Sequence, residues 1–286
     1  MAAHANRRRR DAYHPGVDGE RAPAIYVISD LHGAVGALSA AVPKEAVLVL
    51  LGDLVNLLDY RGGTGILYDV FSRDAVERVS GLRARGRFDE AREVIRQRTG
   101  LHGPGAREEI GRRVTDQLVE VFAALPERTL LILGNVDPPE PIRALADDSV
   151  GVELVDGRVV DLGGETFGFV GGALPTPLSA PGEISAEEIA AKLEALGPVD
   201  VICTHIPPAV PELCYDTLAR RSESGSNALL RYIQNSRPRR AYFGHVHQPL
   251  VSSMYVGQTL CMNVGYFRAT GRPWIHSREM VVEEAQ

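Results

Sequence analysis

Five short polar blocks interrupt this chain, and each follows directly on an apolar run of strand length. In chain order they are Asp30-Leu31-His32, Gly52-Asp53, Gly134-Asn135-Val136-Asp137, Thr204-His205 and Gly244-His245-Val246-His247. The runs before them cover residues 24–29, 46–51, 129–133, 199–203 and 241–243. Short apolar runs bounded by glycine or polar residues read as strands buried on both faces. In an open α/β sheet the binding crevice lies beyond the carboxyl ends of the strands, so polar residues placed there converge on one pocket. That pocket collects Asp30, His32, Asp53, Asn135, His205, His245 and His247, which are two carboxylates, one amide and four imidazoles. Mixed oxygen and nitrogen donors suit manganese, iron or zinc. With about four protein ligands per ion, seven are too many for a single metal. The set predicts two ions, divalent or trivalent.

Local geometry supports the grouping. Asp30 and His32 lie two apart, as do His245 and His247, and in extended backbone such pairs point the same way. Asp53 follows Gly52, whose missing side chain allows a close backbone approach. Of eight histidines, four fall in the blocks, while His4 and His14 lie near the start and only His102 and His276 stand elsewhere. Core packing does not explain half of the histidines sitting at the ends of three apolar runs. Asp137 reads as a residue that supports a ligand, or that caps the helix expected after Pro138-Pro139.

The spacing between blocks alternates strand and helix from Ala24 onward, which predicts βαβ units feeding parallel sheets. A helix is expected at 34–42, another at 140–146, and a third ending near Leu196, opened by Ser185 with Glu188 as a capping box. About seventy residues separate the second block from the third, more than a single crossover helix needs. Three helical stretches fill that gap, and the excess reads as a helical insertion at about 66–126. Runs at 253–256, 260–264 and 280–283 predict strands that complete a second sheet. The fold expected is a four-layer βαβαβ sandwich of two mixed sheets with flanking helices, spanning 23–286. Residues 1–22, with Arg7–Arg10 and no periodicity, predict a disordered basic tail.

A formal charge of −6 over 286 residues argues against a dedicated nucleic-acid or membrane-surface binder. Cys203, Cys214 and Cys261 form no C-x-x-C pair and no disulfide framework, which suits a reducing compartment. No apolar run reaches membrane-spanning length. These features predict a cytoplasmic protein.

In type and order the blocks resemble the calcineurin-like metallophosphoesterases, whose pattern runs D-x-H, G-D, G-N-H-[DE], a lone His and G-H-x-H. The resemblance extends from Asp30 to His247. It implies a phosphoric ester hydrolase with two metal ions and a metal-bound hydroxide as nucleophile. It further implies that Asp30, His32, Asp53 and His247 hold one ion, and that Asp53, Asn135, His205 and His245 hold the other. Asp53 then bridges the two, and Asn135 and His245 contact the substrate phosphate. One position departs, because Val136 stands where the family places a histidine that assists the leaving group. Asp137 is the residue that would orient that histidine. The run Gly52-Asp53-Leu54-Val55-Asn56-Leu57-Leu58 also lacks the G-D-x-x-D-R-G extension of the protein phosphatases. A phosphodiesterase acting on a small phosphoester is therefore expected. A phosphomonoesterase, or a non-catalytic metal-binding scaffold of the same fold, is the alternative.

Overall fold

A computed structural model describes residues 23–59, 62–98, 104–176 and 180–278. The expected basic tail at 1–22, the expected strand at 280–283 and His102 lie outside the described residues.

Four parallel strands form the first sheet: β1 (Ile25–Ile28), β2 (Val47–Leu50), β3 (Arg128–Leu131) and β4 (Val152–Leu154), joined in that order. Helix α1 (Val35–Ala41) crosses from β1 to β2. Between β2 and β3 run α2 (Ile66–Val70), α3 (Arg73–Ala84), α4 (Phe88–Arg98) and α5 (Pro104–Ala124), and α6 (Pro139–Asp148) precedes β4.

The second sheet begins with β5 (Val159–Leu162) and β6 (Glu165–Val170), then α7 (Ala186–Leu196) and β7 (Val201–Thr204). A short α8 (Pro211–Cys214), a two-stranded ribbon of β8 (Tyr215–Asp216) and β9 (Arg221–Ser222), and α9 (Asn227–Ser236) lead to β10 (Arg240–Phe243). β11 (Ser253–Val256) and β12 (Thr259–Asn263) follow. The order across this sheet is β11-β12-β10-β7-β6-β5, parallel in the middle and antiparallel at both edges. After α10 (Phe267–Thr270) the chain returns to the first sheet as β13 (Trp274–His276), antiparallel to β1.

Strand alternation explains the layering. Val27, Val47, Val49, Leu130 and Ile132 of the first sheet meet Phe167, Phe169, Val201, Cys203 and Tyr242 of the second, and fill the space between the sheets. The intervening residues point outward. Ile28, Leu48, Leu50 and Leu131 pack beneath Leu38 of α1, Leu118 and Val121 of α5 and Ile142 of α6. Ile202, Ala241 and Phe243 pack beneath Ile189 and Leu193 of α7 and Leu229 and Ile233 of α9. Helices, sheet, sheet and helices make the four layers, as the apolar runs predict for strands covered on both faces. The Ser185 hydroxyl accepts from the Glu188 amide and caps α7.

The stretch between β2 and β3 divides by its packing. α5 lies on the first sheet as a crossover helix, and Ile66 of α2 joins the same cluster. α3 and α4 pack on each other through Val79, Leu82, Ala91 and Val94, which form a separate cluster.

Candidate metal centre

All five blocks sit at the carboxyl ends of β1, β2, β3, β7 and β10, and their loops are stitched together before any side chain is considered. The amides of Asp30, His32 and Gly33 donate to the carbonyls of Gly52, Asp53 and Leu54 at 3.1, 2.9 and 2.7 Å. Gly244 N donates to His205 O at 3.0 Å. Asp137 is fully buried and joins the second block to the third. Its carboxylate accepts from the amides of Asp53, Leu54 and Gly134 at 2.7, 2.7 and 2.8 Å. Burial and the Asp53 carboxylate push Asp137 up to about 7, while the Gly134 and Leu54 amides pull the other way. It supports a ligand loop through the backbone, and it does not cap α6, whose N-cap is Pro138 without a side-chain bond.

The backbone at these loops is not extended. Asp30, His32, Asp53 and His245 all have positive φ, at 56°, 41°, 55° and 68°. The paired residues therefore converge through left-handed turns rather than strand alternation, contrary to the i, i+2 argument from sequence. Such φ values are costly for non-glycine residues and persist where the surroundings enforce them. Close approach is the reason for the glycines. A Cβ on Gly134 would lie 2.1 Å from Asp53 Oδ1, and one on Gly244 would lie 1.8 Å from Ser29 Oγ and 2.3 Å from Asp30 Oδ2.

The seven side chains meet in one centre. His247 Nε2 lies 3.3 Å from Asp30 Oδ1, and His32 Nε2 lies 3.3 Å from His247 Nε2 and 3.8 Å from Asp30 Oδ1. Asp53 Oδ2 stands between this group and the next, 3.8 Å from His32 Nε2 and 3.6 Å from His205 Nε2. Asn135 Oδ1 is 3.0 Å from both His205 Nε2 and His245 Nδ1. Asp30, His32 and His247 form one compact donor group, and Asp30, Asp53 and His205 form a second.

Three features fit this donor set to metal ions. Asp30 Oδ1 is buried and has no hydrogen-bond partner. His32 Nδ1 and His205 Nδ1 each contact a backbone carbonyl, of Val55 at 2.9 Å and Leu51 at 2.8 Å. A carbonyl only accepts, so these Nδ1 atoms donate and, in the neutral rings, the Nε2 lone pairs face the centre. Burial lowers His32, and burial with the neighbouring His205 lowers His245 to about 4, whereas against their burial the Asp53 and Asp30 carboxylates raise His205 and His247. Against its burial, the imidazoles of His247, His205 and His32 hold Asp30 well below the ordinary carboxylate range. Ionised carboxylate and neutral imidazole are the forms that bind cations, and Asp30, His32 and His245 are shifted toward them.

Asp30, His32, Asp53 and His205 are buried, whereas Asn135, His245 and His247 are only partly covered, so the centre opens on that side. Val136 donates its amide to Asp53 Oδ1 at 3.0 Å, and its half-buried side chain packs on the apolar cluster shared with Leu31 and Leu54.

Sequence reasoning missed Asn263, Tyr266 and Arg268. Asn263 Nδ2 donates to the carbonyls of Gly244 and Val246, and Tyr266 stacks on His247. For Asn263 the signal was an Asn-Val-Gly run at the end of a strand, the same position that the five blocks occupy.

A two-sheet α/β sandwich with aspartates, histidines and an asparagine gathered at its strand ends defines a class of metal-dependent phosphoesterases. The calcineurin-like phosphoesterase family model matches residues 23–249, and this chain belongs to that family. No curated protein is similar enough in sequence to be matched. One solved structure superposes with a TM-score of 0.55 at 14% identity, covering 90% of this chain and 99% of that one. TT1561 of Thermus thermophilus covers the same shares at a TM-score of 0.47 and 13% identity. At such identity the first likeness speaks for the fold alone.

Proposed function

We propose that this protein is a dinuclear metal-dependent phosphodiesterase acting on a small phosphoester. The observation that carries the reading is the convergence of Asp30 Oδ1, a buried oxygen without a hydrogen-bond partner, with inward-facing ring nitrogens. Asp30, His32, Asp53 and His247 would hold one ion, and Asp53, Asn135, His205 and His245 the other, with Asp53 shared. Two ions bound there supply an ionised water at neutral pH and charge stabilisation to a phosphoryl group.

The chain's own residues have separable tasks. Asp53 commits Oδ1 to the Val136 amide and keeps Oδ2 for the centre. His32 and His205 are fixed in tautomer and orientation by their carbonyl partners. Asn135 and His245, at the open side, are placed to contact phosphate oxygens. Val136 carries no proton to give, and its packing against the core leaves the third block without an acid for the leaving oxygen. This favours esters with stable leaving groups and disfavours a protein-phosphatase role.

Metal-depleted protein reloaded with Mn²⁺, Fe²⁺ or Zn²⁺ should bind two ions and hydrolyse bis(4-nitrophenyl) phosphate faster than 4-nitrophenyl phosphate. Faster turnover of the monoester would replace the diesterase reading. Two bound ions without turnover of either compound would favour the scaffold.

A further inference from the structure

The segment 263–268 touches two ligand blocks at once, through backbone, side chain and ring. Phe267 N and Arg268 N donate to the carbonyls of Ser29 and Asp30 at 3.1 and 3.2 Å, and Arg268 Nη1 donates to His32 O at 2.7 Å. Asn263 Nδ2 holds Gly244 O and Val246 O at 3.2 and 2.9 Å. Between these anchors the Tyr266 ring lies flat on the His247 imidazole, with centroids 4.0 Å apart and planes 1° from parallel. The same ring meets His32 edge-on at 5.6 Å, and His32 meets His247 edge-on at 5.2 Å. Offset or edge contacts of this kind fix ring planes because the quadrupoles favour particular orientations.

Two of these three rings belong to one donor group only, that of Asp30, His32 and His247. His205 and His245 pair with each other instead, at 5.2 Å. His247 is also the exposed member of its group, its side chain 31% accessible against 10% for His32, and its Nε2 is the end that faces Asp30. It is the ligand most in need of an external constraint on its ring.

We propose that Tyr266 is a positioning residue for the Asp30–His32–His247 half of the metal centre, acting through its ring face, so that losing the ring weakens one ion position and spares the other. The inference rests on the two-ion reading above. Residues that orient metal ligands typically contribute about 10–100-fold in affinity. The variants are Tyr266→Phe, which keeps the ring, and Tyr266→Leu, which keeps apolar bulk without a ring plane.

Titration of metal-depleted protein with Co²⁺, followed by calorimetry and by d–d absorption, reads the two positions without reference to activity. Tyr266→Phe should match the wild type. Tyr266→Leu should bind one ion with unchanged affinity and the other about 10–100-fold more weakly, with only part of the absorption spectrum altered. Equal weakening of both positions in Tyr266→Leu would overturn the proposal, as would wild-type binding by that variant or weak binding by Tyr266→Phe. Wild-type protein that takes up fewer than two ions would instead overturn the two-ion reading and this inference with it.

Discussion

The two oxygens of Asp53 do different work, and substitution separates them. Asp53→Asn leaves an oxygen for the Val136 amide but presents an amide group to the centre. Elemental analysis should find both ions lost under conditions that saturate the wild type; retention of either would argue against a shared ligand. Asp137 is constrained in another way. Both of its oxygens accept backbone N–H groups, so Asp137→Asn sets an NH₂ against at least one of them. A buried unsatisfied donor costs about 1–3 kcal/mol, and thermal or urea unfolding should show a loss of that order. Val136 bears on chemistry. General-acid assistance is typically worth about 10²–10⁴ in rate, so across a series of aryl phosphodiesters turnover should fall steeply as leaving-group pKa rises. A flat series would reveal a proton donor elsewhere. The seven proposed ligand positions were legible because each combines a metal-binding residue type with the end of an apolar run. Tyr266 was not, since a lone tyrosine carries no such signature and its contacts with His32 and His247 arise only in the folded chain.

At the scale of elements, the site is a product of how strands stop. β1, β2 and β10 end in left-handed turns at Asp30, Asp53 and His245, and the loops interlock through Gly134 and Gly244. Helix termini contribute stability without touching this arrangement. Ser185→Ala removes the α7 cap and should cost about 0.5–2 kcal/mol, measured by denaturation, with metal stoichiometry unchanged. The buried central strands and α1, α6 and α7 were readable from apolar runs and capping chemistry. β8, β9 and β13 were not. They span two or three residues, and β13 places Trp274 and Ile275 largely in solvent, so no alternation marks it. The packing of α5 was equally hidden, because length alone does not say which helix of a long connection covers the sheet.

For the whole molecule, the two sheets are joined by polar as well as apolar contacts. His276 of β13 reaches across to the second sheet, with Nδ1 2.9 Å from the Tyr242 hydroxyl and Nε2 3.1 Å from Glu165 Oε2. Arg239 and Arg278 face the same carboxylate. Burial, the largest influence, lowers His276 despite the Glu165 partner, while Arg240 and Arg239 add to the lowering. The neutral ring is thus favoured in the folded state. Stability from this contact is full above the ordinary histidine value of about 6.5 and is lost as pH falls through the lowered folded value. The stability gap between wild type and His276→Gln should accordingly narrow as pH falls from 8 to 5, in thermal melts at fixed metal concentration. A gap that widens on acidification would mean that the charged ring is the stabilising form.

The bracing of the Asp30–His32 loop by residues 263–268 also sets an order of events during synthesis. Asp30 and His32 leave the ribosome more than two hundred residues before His247, and contacts of such separation form late. A nascent chain that has emerged only as far as His247 already carries all seven proposed ligands, yet it lacks the segment and the aromatic ring that contact two of the blocks. Under the two-ion proposal, secure capture of metal is thereby deferred until residues 263–268 have emerged as well.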